Sequence, residues 1–174
     1  MRAKIRASLI IFAPALLGCL ILSTAAPAQH HQHHQFNSSG MGPDERSGLL
    51  VGAGMGLAKA AETNRFPGPL HVLELESLLD LSVEQKAAVE KLRAEVLDEA
   101  KVLGAEIVDT EDELYRRFTH RHIDAETLRS LTAKLGKLRG QLRHAHLAAH
   151  LATEKLLDER QIDIYYRERG TAAP

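Results

Sequence analysis

The residues of this chain best spaced for chemistry are His146 and His150, with Glu154 four positions further on. All three fall in a run with helical periodicity, where residues four apart share one face. Two imidazoles and a carboxylate so arranged suit Zn²⁺, Cu²⁺ or Ni²⁺. The same spacing also describes histidines that merely line a helix surface, and both readings stand at this stage. His144 lies about 200° around the helix from His146 and stays outside the set.

A second histidine group, His30, His31, His33 and His34, is of another kind. Four imidazoles so close together bind transition metals weakly without needing a fold. His120 and His122 fall in a polar turn and read as solvated. His71 opens a short apolar run and reads as structural. No nucleophile stands at a recognisable spacing from a base. Asp109, Glu111, Asp112 and Glu113, like Arg116, Arg117 and Arg121, read as solvated helix faces. Gly52-x-Gly54-x-Gly56 has the wrong spacing, and no preceding strand, for a phosphate loop. The chain therefore reads as a non-enzyme that requires no cofactor, with Zn²⁺, Cu²⁺ or Ni²⁺ as the metals its histidines would take.

The start of the chain carries an export signal. Arg2, Lys4 and Arg6 precede an apolar stretch from Ser8 to Leu22, and Ala26-Pro27-Ala28 is a small-residue cleavage site. Cleavage after Ala28 leaves 146 residues and places them in the periplasm. Leu16-Leu17-Gly18-Cys19 matches a lipobox, but the apolar run continues past Cys19, which argues against a lipid anchor. Cys19 is the only cysteine, so the mature chain has no disulfide. Losing three of the 22 basic residues with the leader leaves 19 against 23 acidic, a balance that excludes nucleic acid as a partner. Tryptophan is absent and aromatics make up 4% of the chain. The core must therefore be aliphatic.

Helices must position these groups, because no segment alternates with the period of a strand. Residues 29–45 read as a disordered His-rich arm. Residues 46–66 read as a weak Gly-rich helix with Leu50, Ala53, Leu57 and Ala60 on one side. Gly48, Gly52 and Gly56 form either a close-approach stripe or a mobile stretch, since each glycine costs about 1 kcal/mol in a helix. Phe66-Pro67-Gly68-Pro69 breaks the chain. A short helix then spans Leu70 to Leu79, with Val72, Leu75, Leu78 and Leu79 inward. From Ser82, the residues Val89, Leu92, Val96, Ala100, Leu103, Ile107, Leu114 and Phe118 line one face of a long helix. Thr119 to Ile123 turns the chain, and Asp124 caps the return helix. There Leu128, Leu131, Leu135, Leu138, Leu142, Ala145, Ala149, Ala152 and Leu156 alternate by threes and fours. Gly136 and Gly140 sit off this seam as markers of a close crossing. Ile162 to Arg169 is a last short helix, and residues 171–174 are a tail. The fold expected over residues 67–170 is all-α: a long antiparallel helical hairpin with short flanking helices.

Two matched pentapeptides punctuate that hairpin. Leu81-Ser82-Val83-Glu84-Gln85 and Leu157-Asp158-Glu159-Arg160-Gln161 each place a short oxygen-bearing side chain three residues ahead of a glutamine. This is the pattern of a capping box. Together with the leader, the His-rich start and the cysteine-free all-α hairpin, the pair resembles the LTxxQ motifs of the Spy/CpxP family of periplasmic proteins. Asp158 stands where that family has Thr or Ser. The resemblance covers roughly residues 68–170. It implies a dimeric helical cradle that holds unfolded envelope proteins without ATP, answers envelope or metal stress, and communicates with a membrane sensor. The alternative reading is a periplasmic heavy-metal sensor or metal-buffering protein of the CnrX type.

Overall fold

The computed structural model describes residues 40–170. They form seven helices: α1 (Pro43–Leu50), α2 (Lys59–Glu62), α3 (Pro69–Glu74), α4 (Glu76–Leu79), α5 (Val83–Thr119), α6 (Ala125–Glu154) and α7 (Glu159–Glu168). No strand occurs among the described residues, and no helix there is long and apolar enough to cross a membrane.

The architecture is the expected hairpin. α5 has 37 residues and so runs about 55 Å; α6 returns beside it over 30 residues. Local signals set the limits. The Ser82 hydroxyl accepts the Gln85 N–H at 3.1 Å, while the Gln85 side-chain oxygen accepts the Ser82 N–H at 3.0 Å. Asp80, in the left-handed region at φ 52°, stops α4 just ahead of this box. At the far end Arg121 takes φ 55° to close α5, and the Asp124 carboxylate accepts the Thr127 N–H at 2.7 Å to start α6. That backbone hydrogen bond holds the Asp124 carboxyl below its ordinary range.

Two apolar clusters form the core of the described residues. One lies between the long helices, where Ala100, Leu103 and Ile107 meet Leu135, Leu138 and Leu142. The other, at the open end of the hairpin, gathers Val72, Leu79 and Val89 with Ile162, Tyr165 and Tyr166 of α7. Burial pushes the Tyr166 hydroxyl up to about 12.

Several expectations are corrected. Residues 46–66 are not one helix. The chain is helical from Pro43, then turns, because Gly52, Met55 and Gly56 all adopt positive φ. Gly48, Gly52 and Gly56 consequently form no stripe. The register is also off by one: Leu49 is 2% exposed and Leu50 46%. The arm assigned to 29–45 ends too late, since Met41 is buried against the hairpin and α1 begins at Pro43. The apolar run Leu70–Leu79 is two short helices in which Leu78 faces solvent. Phe118 and Leu128 are exposed, because the seam opens toward the tip. Gly136 and Gly140 face open space and mark no crossing.

The close crossing instead involves Gly104, which sequence periodicity did not single out. A Cβ there would sit 2.0 Å from the Leu49 carbonyl oxygen, so only glycine lets α1 lie on α5. Polar contacts clasp α1 in place. Arg46 makes a bidentate pair with Asp112 at 2.8 and 2.9 Å, and Arg139 bridges Glu45 and Glu111 at 3.0 and 2.9 Å.

Candidate functional site

The two pentapeptides meet in space. Asp158 and Gln161 repeat the capping box at the start of α7: the carboxylate accepts the Gln161 N–H at 2.8 Å, and the Gln161 side chain accepts the Asp158 N–H at 3.0 Å. Gln85 and Gln161 then pair amide to amide. Gln85 Nε2 donates to Gln161 Oε1 at 2.9 Å, and Gln161 Nε2 donates back to Gln85 Oε1 at 3.0 Å. The remaining amide hydrogens go to backbone carbonyls, from Gln85 to Leu156 at 2.8 Å and from Gln161 to Leu79 at 3.2 Å. Gln161 is only 2% exposed. Both ends of the hairpin, with α4 and α7, are tied through this one knot, and Leu81 and Leu157 pack against the apolar cluster beside it. The repeat was visible in the sequence. The direct contact between its glutamines was not, because it depends on the hairpin bringing residues 85 and 161 together.

The histidines of α6 lie elsewhere. A cleft of about 390 Å³ opens between the 51–56 loop, α3, α5 and α6. His146 and His150 line it together with Gly54, Leu70, Arg93 and Val96. His150 Nδ1 lies 2.7 Å from the Phe66 carbonyl oxygen. A carbonyl can only accept, so this nitrogen carries a proton and ties the Phe66–Gly68 turn to α6. Gly68 is packed on the same ring, where a Cβ would come within 2.8 Å. His146 is half-buried, and its Nε2 is sealed from solvent without a hydrogen-bond partner. Burial, and secondarily the nearby His150, hold its pKa below the ordinary histidine value.

Glu154 does not line this cleft with His146 and His150. Among the described residues no three His, Cys, Asp or Glu side chains come together in a set that could hold a metal ion. His146 and His150 are thus neighbours on one wall, but the three-ligand set with Glu154 is not formed. The i,i+4 spacing brought the two rings to one face, while tertiary packing engaged one of them. His71, which read as structural, stands at the cleft with its Nδ1 2.7 Å from the Glu74 carboxylate. His120, His122 and His144 are exposed. His30, His31, His33 and His34 lie outside the described residues. Gly54 and Arg93 are cleft residues that periodicity could not flag, since neither belongs to an apolar stripe or a motif. The chain matches no protein-family model, no curated protein and no solved structure.

Proposed function

We propose that the chain is a periplasmic, ATP-independent chaperone or envelope-stress adaptor of the Spy/CpxP type rather than an enzyme. The observation that carries this reading is the amide pair between Gln85 and Gln161. Two copies of one short motif occupy equivalent positions, each starting a helix and each completing the other. That use accounts for both copies at once. Exposed aliphatic and aromatic side chains support the binding role: Val51, Met55, Leu70, Leu78, Val102 and Phe118 all lie open on the helices and the 51–56 loop. Scattered apolar contacts rimmed by charge suit weak binding of many unfolded chains. Unfolded envelope proteins are the proposed clients, a second copy completes the cradle, and a membrane sensor receives the signal.

The test is suppression of aggregation of a denatured model protein by the mature chain at near-stoichiometric ratio, without nucleotide, with and without Zn²⁺. Unchanged aggregation in both arms overturns the chaperone reading. The heavy-metal sensor or buffer is the second reading, favoured by His146 and His150 sharing one cleft wall. Calorimetry with Zn²⁺ separates its parts. Loss of binding on deleting 29–35 assigns metal to the arm, and loss in the His146→Ala/His150→Ala variant assigns it to α6.

A further inference from the structure

We propose that the cleft bordered by the 51–56 loop, α3, α5 and α6 is a binding site for a small monocarboxylate with an apolar body, whose oxygens are taken by the His146 Nδ1–H and the Arg93 guanidinium. The cleft has the size of a small-molecule site, about 390 Å³. Val51, Leu70, Val96 and Leu97 give it apolar walls. Its ionisable side chains are Glu62, His71, Arg93, His146 and His150, of which His71 and His150 are already engaged by Glu74 and the Phe66 carbonyl.

Those polar groups define the ligand. His146 Nε2 is buried and has no partner. A buried N–H left unpaired is costlier than a buried lone pair, so the proton of the neutral ring belongs on Nδ1. That nitrogen looks onto the open cleft beside Gly54, where a Cβ would lie 3.7 Å from it. A side chain at residue 54 would therefore start in contact with this edge of the ring. The second donor is Arg93, which lines the same cleft and makes no ion pair among the described residues. A neutral N–H and a free guanidinium call for acceptor oxygens bearing one negative charge. The one carboxylate on the wall, Glu62, disfavours a second negative charge. A metal ion at His146 would compete with this occupant, because it needs the Nδ1 lone pair and so the other ring tautomer. The inference is independent of the chaperone reading.

Octanoate is the probe, titrated into the mature chain with the histidine ring resonances followed by NMR and the affinity by calorimetry. The expected result is saturable binding that moves the His146 ring and leaves exposed His144 in place. Octanol, which lacks the charge, and the Arg93→Gln variant should each bind about tenfold more weakly. Gly54→Leu should fill the space before Nδ1 and block binding; residue 54 has an ordinary φ, so the side chain is tolerated. His146→Phe should abolish binding while raising the melting temperature, because it removes a buried unpaired nitrogen; loss of a residue needed only for folding would lower it. Equal affinity for octanol, undiminished binding in Gly54→Leu, or no saturable shift of His146 overturns the proposal. Aggregation suppression, read on the same samples, reports separately on the chaperone reading.

Discussion

Truncating either glutamine of the amide pair should cost more than a helix cap normally does, and truncating both should cost less than the sum. The Gln161 side chain takes part in four hydrogen bonds: with the Asp158 N–H, with the Leu79 carbonyl, and two with Gln85. Gln85 also has four, to the Ser82 N–H, the Leu156 carbonyl and the same two with Gln161. A net contribution of about 1 kcal/mol per bond gives roughly 4 kcal/mol for Gln161→Met. Gln161 is the more buried of the two, so Gln85→Met should cost somewhat less, about 3 kcal/mol. Methionine keeps the length and most of the volume, so little cavity is added. The two shared bonds can be lost only once, so a double-mutant cycle should return a coupling of about 2 kcal/mol. The assay is urea unfolding of wild type, both single variants and the double variant, with midpoints compared at constant slope. Additive losses would refute the pairing: each glutamine would then be an independent cap, and the knot between α5 and α7 would contribute nothing of its own.

Three further outcomes follow from the same contacts. Gly104→Ala places a methyl group against the Leu49 carbonyl and should lift α1, costing about 1–3 kcal/mol; faster hydrogen exchange over 43–50 with little change over α6 is the readout, and uniform exchange would contradict it. Leu135→Ala, on the buried seam, should cost about 2–5 kcal/mol, and Leu147→Ala, only half-buried, clearly less; equal losses in denaturant melts would mean the seam is misplaced. His146 has its folded-state pKa held down by burial, so the unfolded chain binds the proton first: stability should be complete above about pH 6.5 and decline as pH falls below it, and parallel wild-type and His146→Phe stability curves between neutral and mildly acid pH would exclude that burial.

The long elements were legible because their signals are local and repeated. Val89, Ala100, Leu103 and Ile107 recur at helical spacing, and so do Leu135, Leu138, Leu142, Ala145 and Ala149; all are buried. Ser82, Asp124 and Asp158 each cap the helix they precede. Illegible stretches are those where backbone conformation overrides side-chain pattern. Leu50, Ala53, Leu57 and Ala60 keep a helical spacing through residues 50–60, yet left-handed Gly52, Met55 and Gly56 break the helix. Met55 is the instructive case, since a non-glycine residue at φ 43° leaves no mark in composition.

The candidate site divides along the same line. Spacing on one helix was enough to put His146 and His150 on a shared face, but what each ring does is fixed by segments far away in sequence. The Phe66 carbonyl claims one nitrogen of His150, across 84 residues. Gly54, 92 residues before it, borders the Nδ1 edge of the His146 ring. A metal-ligand reading treats the two imidazoles as equivalent lone-pair donors. Once packed they are not equivalent: His150 serves as a tether for the Phe66–Gly68 turn, whereas His146 is a desolvated ring facing a cavity. The same asymmetry explains why the glutamine motifs were easier to place from sequence than the histidines. Gln85 and Gln161 each satisfy their own helix and then each other, so sequence spacing and tertiary contact impose the same demand on the same atoms. Where the two levels agree, a short motif can be read from sequence; where they diverge, as at His146, the chemistry belongs to the fold and only the fold discloses it.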